Sequence, residues 1–191
     1  MDNYTTITKN ILEDRYKMTS DEVYYSHQPI YGYRSSKSST SCIARYMVTI
    51  SILNAINQYS FNSFIDIGGA EGYTANIIKK LFNVEVSITD LSESACEMAR
   101  EIFNINAIPA DIHHLPFEDN KFDIVLCSET IEHVTNYKKA ISELLRVTKD
   151  VLIITVPHET EEIVAKNIEN KIPHAHIHYF DTYTLDYLKE S

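Results

Sequence analysis

The chain has 191 residues and a formal net charge of −10, enough length for one domain with a buried core. Its hydrophobic share of 44% and charged share of 23% are those of an ordinary globular chain. Clustered Lys and Arg of the kind that bind nucleic acid broadly are missing, since only Arg34, Lys37 and Arg45 hint at a basic groove, and no apolar run reaches the length of a membrane span. Three scattered cysteines (Cys42, Cys96, Cys127) show neither metal-ligand spacing nor an even count. With an opening Met1-Asp2-Asn3-Tyr4 unlike a signal peptide, they lead to the expectation of a reduced, cytoplasmic setting.

The first forty residues scatter Tyr4, Tyr16, Tyr24, Tyr25, Tyr31 and Tyr33 among polar residues and end in a Ser-rich patch. We read residues 1–40 as an aromatic-rich segment that folds over a ligand as a lid or packs on the flank, and 41–191 as the main domain. Within that domain, 41–59 reads as a helix with Ile43, Met47, Ile50, Leu53 and Ile56 as its apolar positions. From there the chain alternates short β-rich runs with helical patterns, the signature of a parallel sheet covered by helices on both faces. Strands are expected at 63–67, 84–89, 107–109, 122–127 and 151–156, and helices at 73–82, 92–103 and after Tyr137. Two more helices are expected at 159–170 and 182–190, the second capped by Asp181.

Residues Phe64-Ile65-Asp66-Ile67-Gly68-Gly69-Ala70-Glu71-Gly72 join an apolar strand to a glycine turn. A carboxylate beside a phosphate-holding turn would repel the phosphates, so Asp66 suits a ligand with a cationic end. A nucleoside that also carries an ammonium and a sulfonium fits, and S-adenosylmethionine is such a molecule. Asp90, followed by Leu91, closes the next strand, where an acid accepts from both ribose hydroxyls; capping of a helix together with Glu93 is the plainer reading. Asp111 and Ile112, after the third strand, could meet an adenine amine and ring face, or form an ordinary surface turn. Cys127, Ser128, Glu129 and Thr130 leave the fourth strand where the reactive end of the ligand should lie.

Taken in order, these pieces resemble the class I S-adenosylmethionine-dependent methyltransferases of the large small-molecule group. The resemblance covers about residues 41–157. It is carried by Asp66 to Gly72, Asp90, Asp111 with Leu115-Pro116-Phe117, Phe122-Asp123-Ile124-Val125, Glu132-His133-Val134, Glu143 with Arg146-Val147, and Val156-Pro157. It implies a doubly wound, Rossmann-like sheet, Asp66 near the methionine ammonium, Asp90 on the ribose, and Asp111 and Ile112 around the adenine. Three departures stand out. Ala70 replaces the third turn glycine, Asp150-Val151 replaces a Pro-Gly-Gly, and the usual C-terminal strand pair is shortened or missing, which leaves the fifth strand as an edge for a folded-back tail or a homodimer to cover.

A hydroxyl nucleophile gains from a base or a metal ion that lowers its pKa. Glu129, Glu132 and His133 fall at i, i+3 and i+4, so a helical turn would present all three on one side. With His176 they form a mixed oxygen and nitrogen set suited to a divalent cation. The ubiquinone-pathway O-methyltransferases resemble this stretch, as do the small-RNA 3′-terminal 2′-O-methyltransferases, whose resemblance extends over His176 to Asp181. Glu132-His133-Val134 also occurs in metal-free relatives. His158 is a further candidate base. The leading expectation is methyl transfer to a small-molecule acceptor at oxygen. A metal-dependent RNA 3′-terminal methyltransferase and a non-catalytic S-adenosylmethionine-binding module are the alternatives. A nicotinamide oxidoreductase lacks its Gly-x-Gly-x-x-Gly turn here.

Overall fold

The computed structural model describes residues 3–17, 19–20, 23–24, 39–170, 172 and 174–181. It opens with α1 (Asn3–Tyr16), then the antiparallel two-residue strands β1 (Thr19–Ser20) and β2 (Val23–Tyr24), and α2 (Ser39–Ile56). Helix α1 has no counterpart in the expected elements. Its buried stripe is Thr5, Thr8, Leu12 and Tyr16, helically spaced but half threonine, so the hydrophobic period is faint.

The main sheet has five strands: β3 (Ser63–Ile67), β4 (Glu85–Asp90), β5 (Asn106–Pro109), β6 (Phe122–Ser128) and β7 (Thr148–Thr155). Their order is β5-β4-β3-β6-β7 and every pairing is parallel. The chain winds outward from β3 in both directions, so the crevice beyond the carboxyl ends of β3 and β6 is the topological switch point.

Helices α3 (Tyr73–Phe82), α4 (Glu93–Phe103) and α5 (Tyr137–Val147) make the crossovers. Alternate strand residues serve two cores, as a doubly covered sheet requires. Phe64, Ile88, Ile124 and Leu126 pack with Ile52, Ile56, Ile78 and Ala99 on one side. Ile65, Ile67, Val125 and Cys127 pack with Ala140, Leu144, Val147 and Phe180 on the other. The side chain of Ser92 caps α4 by accepting from Ala95 N at 3.2 Å, and that of Asn136 caps α5 by accepting from Lys139 N at 3.0 Å. Asn83 and Asn104 close α3 and α4 in the left-handed conformation that asparagine tolerates.

Two residues of the family resemblance act as struts. Asp123 accepts from Asn62 N, Ser63 N and Lys149 Nζ, which holds its carboxyl well below the usual range. Arg146 donates to both carboxylate oxygens of Glu143 and to the carbonyls of Leu115 and Phe117, while Glu143 also accepts from Leu115 N. The 115–117 loop is thereby clamped to α5.

Beyond β7, α6 (Glu161–Glu169) is slightly shorter than expected and is capped by Thr160. The expected helix at 182–190 lies outside the described residues. Residues 174–181 fold back: Ile177 N donates to Glu132 O at 2.9 Å, and Phe180 is buried in the second core. Among the described residues this tail adds no strand to β7, which ends the sheet.

Candidate functional site

One cavity, of about 1140 Å³ including its open mouth, lies over the carboxyl ends of β3, β4, β5 and β6. Asp66 and Asp90 reach it from the ends of β3 and β4, and Asp111 from the loop after β5. Gly68, Gly69, Ala70, Leu91, Ile112, Ser128, Glu129 and His133 also line it.

The turn after β3 is shaped by its backbone. Gly68 N and Gly69 N both donate to Thr89 O, at 2.7 and 3.1 Å, binding the turn to β4. Gly68 sits at φ 78°, and a Cβ there would collide with the side chain of Thr130. Gly72 does not line the cavity; it starts α3 at φ 79°, where a Cβ would press on Ala99. Ala70 adopts φ 50° with its side chain intact. Its N–H donates to Asp90 Oδ2 at 3.0 Å, and Asp90 Oδ1 accepts from Ser92 N at 2.9 Å. Ser92 rather than Asp90 therefore caps α4, and Asp90 is committed to the turn and the cavity.

Both acids are buried, and burial is the main reason their carboxyls titrate high. Asp66 is pushed up to about 7, with Asp90 adding repulsion and Arg45 opposing it. Asp90 is pushed up to about 6, against the lowering effect of its hydrogen bonds from Ser92 and Ala70. Such groups are costly to ionise unless a cation or hydroxyl donors meet them.

Asp111 is paired within its own loop. Its Oδ1 accepts from His113 N at 3.0 Å and from His113 Nδ1 at 2.6 Å. His113 is buried, lines the cavity, and receives Asn136 N on Nε2 at 3.4 Å.

The expected Glu129, Glu132 and His133 face requires correction. Glu129 lies at φ 51° and precedes the short 3-10 turn Ile131–His133, so no continuous helical turn contains all three. Glu129 faces the cavity and its Oε1 accepts from Thr155 Oγ1 at 3.0 Å. Glu132, His133 and His176 do converge, with ligand atoms within 4.8 Å of one another. Glu132 is fully buried and neither carboxylate oxygen has a hydrogen-bond partner. Its carboxyl is pushed up to about 8 by burial, and His133 is pushed down to about 3 for the same reason. Burial thus opposes charge on both groups, whose nearest atoms stand 3.8 Å apart. His133 Nδ1 donates to Ala175 O at 3.2 Å, and His176 Nδ1 meets Glu159 Oε2 at 2.7 Å. That arrangement leaves each Nε2 as the free donor atom, as carboxylate- or carbonyl-supported metal ligands require.

Two other expected residues stand elsewhere. Cys127 points into the second core, where burial pushes its thiol far up, and does not line the cavity. His158 is exposed and outside the cavity.

Tyr4 and Tyr16 reach the cavity from α1, as a lid of the aromatic-rich segment would require, and Arg45 reaches it from α2; Thr8 and Leu12, also from α1, were not singled out in the sequence. Glu13 docks α1 onto α4 by accepting from Glu93 N, Ser94 N and Ser94 Oγ. From the same helix, Arg15 donates to His174 Nδ1 at 3.3 Å, and His174 stacks on His133 with ring centroids 4.1 Å apart. His113 was also discoverable, two residues after an acid already singled out.

Residues 65–153 match the family described as "Methyltransferase domain". A protein of Methanocaldococcus jannaschii described as uncharacterized is 45% identical over 65 residues, 33% of this chain and 28% of that protein. The ubiquinone/menaquinone biosynthesis C-methyltransferase UbiE of Pseudomonas entomophila is 30% identical over 119 residues, 56% of this chain and 46% of its own. The chain thus spans less than half the length of these curated relatives. Among solved structures, the YcgJ protein of Bacillus subtilis superposes with a TM-score of 0.63 at 19% identity, over 75% of this chain and 67% of that one. Phosphoethanolamine N-methyltransferase 2 of Haemonchus contortus, in complex with S-adenosyl-L-methionine, gives 0.63 at 19% identity, over 76% and 36%. At these identities the superpositions show the shared fold.

Proposed function

We propose that this chain, which carries a class I S-adenosylmethionine-dependent methyltransferase domain, transfers a methyl group from that cofactor to an oxygen of a small-molecule acceptor. The observation that carries the reading is the convergence of Asp66, Asp90 and Asp111 on one cavity at the switch point. When bound, S-adenosylmethionine supplies a methyl group already activated on a sulfonium. The chain's task is then to bind, orient and exclude water.

The donors fit that cofactor. Buried Asp66 meets an ammonium, and Arg45 on the same cavity wall suits the neighbouring carboxylate. Asp90, with one N–H on each oxygen, keeps lone pairs for ribose hydroxyls. Gly68 and Gly69 let the backbone approach closely. Glu129 and His133, which line the same cavity beyond the end of β6, are the groups we assign to the acceptor, with Glu129 taking its proton. Helix α1 closes one side of the mouth and serves as the lid of the 1–40 segment, held by Glu13 and Arg15.

Glu132, His133 and His176 fit a divalent cation: the donor set is suitable, and the orphaned Glu132 carboxylate gains a partner. Bound there, the cation would supply positive charge beside His133. The oxygen acceptor is tested by labelled methyl transfer to a panel of small phenols and alcohols and to RNA 3′ ends, with and without a chelator. Labelled ethers are the expected product. Label recovered only on carbon, as the name of the UbiE relative would suggest, or only on RNA, would overturn this choice of acceptor.

A further inference from the structure

We infer that His113 is a positioning residue that fixes Asp111 as a reader of the purine 6-amino group. The inference rests on the proposed adenosyl cofactor. Asp111 Oδ1 is used twice by His113, once by the backbone N–H and once by Nδ1. A ring that donates from Nδ1 to a carboxylate and accepts Asn136 N on Nε2 is held in one orientation. Both ring nitrogens are thus engaged within the protein, and His113 has no polar atom left for a ligand.

The carboxylate is fixed in turn. With Oδ1 held, Oδ2 is the oxygen left to meet a ligand, in a cavity that both residues line. An ionised carboxylate only accepts hydrogen bonds. At position 6 it therefore favours the adenine amine, which donates, and opposes the 6-oxo group of hypoxanthine, which accepts. The loop cannot drift, because its next residues are clamped by Arg146 through the carbonyls of Leu115 and Phe117. Through Asn136, which caps α5, the same histidine joins the base-reading loop to that helix.

The test is calorimetric titration of S-adenosylhomocysteine and S-inosylhomocysteine into the intact chain and its variants. The wild type should prefer the adenosyl ligand. His113→Ala and His113→Phe should each reduce that preference ~10-fold or more, mainly by weakening the adenosyl ligand, while His113→Asn, which restores a donor, should keep most of it. Asp111→Asn should level the two ligands. A merely structural role for His113 would weaken both ligands equally and leave the ratio unchanged, which would overturn the inference. Failure of the wild type to bind either ligand would instead remove the cofactor reading. His113→Phe keeps the ring volume, so a folding defect in His113→Ala leaves the question answerable.

Discussion

Asp90 accepts the backbone N–H of Ala70 at 3.0 Å, and so ties the end of β4 to a left-handed residue in the turn after β3. A non-glycine residue in that conformation costs about 1–2 kcal/mol, and a hydrogen bond to a charged group returns about 1.5–3 kcal/mol. The family's third turn glycine can thus become alanine here without opening the turn.

That balance predicts a double effect at Asp90. Asp90→Asn relieves a buried charge but sets its NH2 against one of the two backbone N–H groups that the carboxylate accepts, so stability should fall by about 2–3 kcal/mol. Affinity for S-adenosylhomocysteine should fall as well. Thermal unfolding together with ligand titration measures both; a collapse of stability with affinity intact would contradict this role.

Asp66 predicts a pH dependence. Its folded carboxyl titrates at about 7, above the ordinary value of 3.8. Between those values the folded chain holds a proton that the unfolded chain has released. This group's contribution to stability is therefore fully present below pH 4 and is lost as pH rises through 7. Binding runs the other way, because an ammonium needs the ionised carboxylate. Affinity for S-adenosylhomocysteine should rise from pH 5.5 to 8, and Asp66→Asn should flatten that rise. Titrations across the range check it, and an unchanged slope in the variant would refute it.

Arg146 is predicted to matter for folding rather than for ligand contact. Its loss leaves the carbonyls of Leu115 and Phe117 without this donor and Glu143 with only the Leu115 N–H, a cost of about 2–3 kcal/mol. For a chain of this size each kcal/mol is worth roughly 2–4 °C in Tm. Arg146→Ala should therefore melt about 5–10 °C lower, and Arg146→Lys should recover part of that. A melt within 1 °C or so of wild type would contradict the clamp.

The sheet was legible because each strand run is short, apolar and bounded by turn residues, as in Phe64–Ile67 and Phe122–Cys127. Asp66 and Asp90 were legible because each is an acid at the end of a short β-rich run, the first directly before a glycine turn. Helix α1 escaped because Thr5 and Thr8 occupy half its buried stripe. The Glu129 expectation failed because helical spacing assumes a helix, while φ 51° at Glu129 turns the chain before the 3-10 turn begins. His176 joins Glu132 and His133 only through the fold-back of residues 174–181, a tertiary event that spacing along the chain cannot express.

The central claim is that the three-acid cavity holds S-adenosylmethionine, and calorimetric titration with S-adenosylhomocysteine at pH 8 tests it most directly. One site per chain is expected, with affinity reduced ~100-fold or more by Asp90→Ala, the equivalent of losing one or two hydrogen bonds to a charged acceptor. No binding to the intact chain, or binding indifferent to Asp90→Ala, would contradict it.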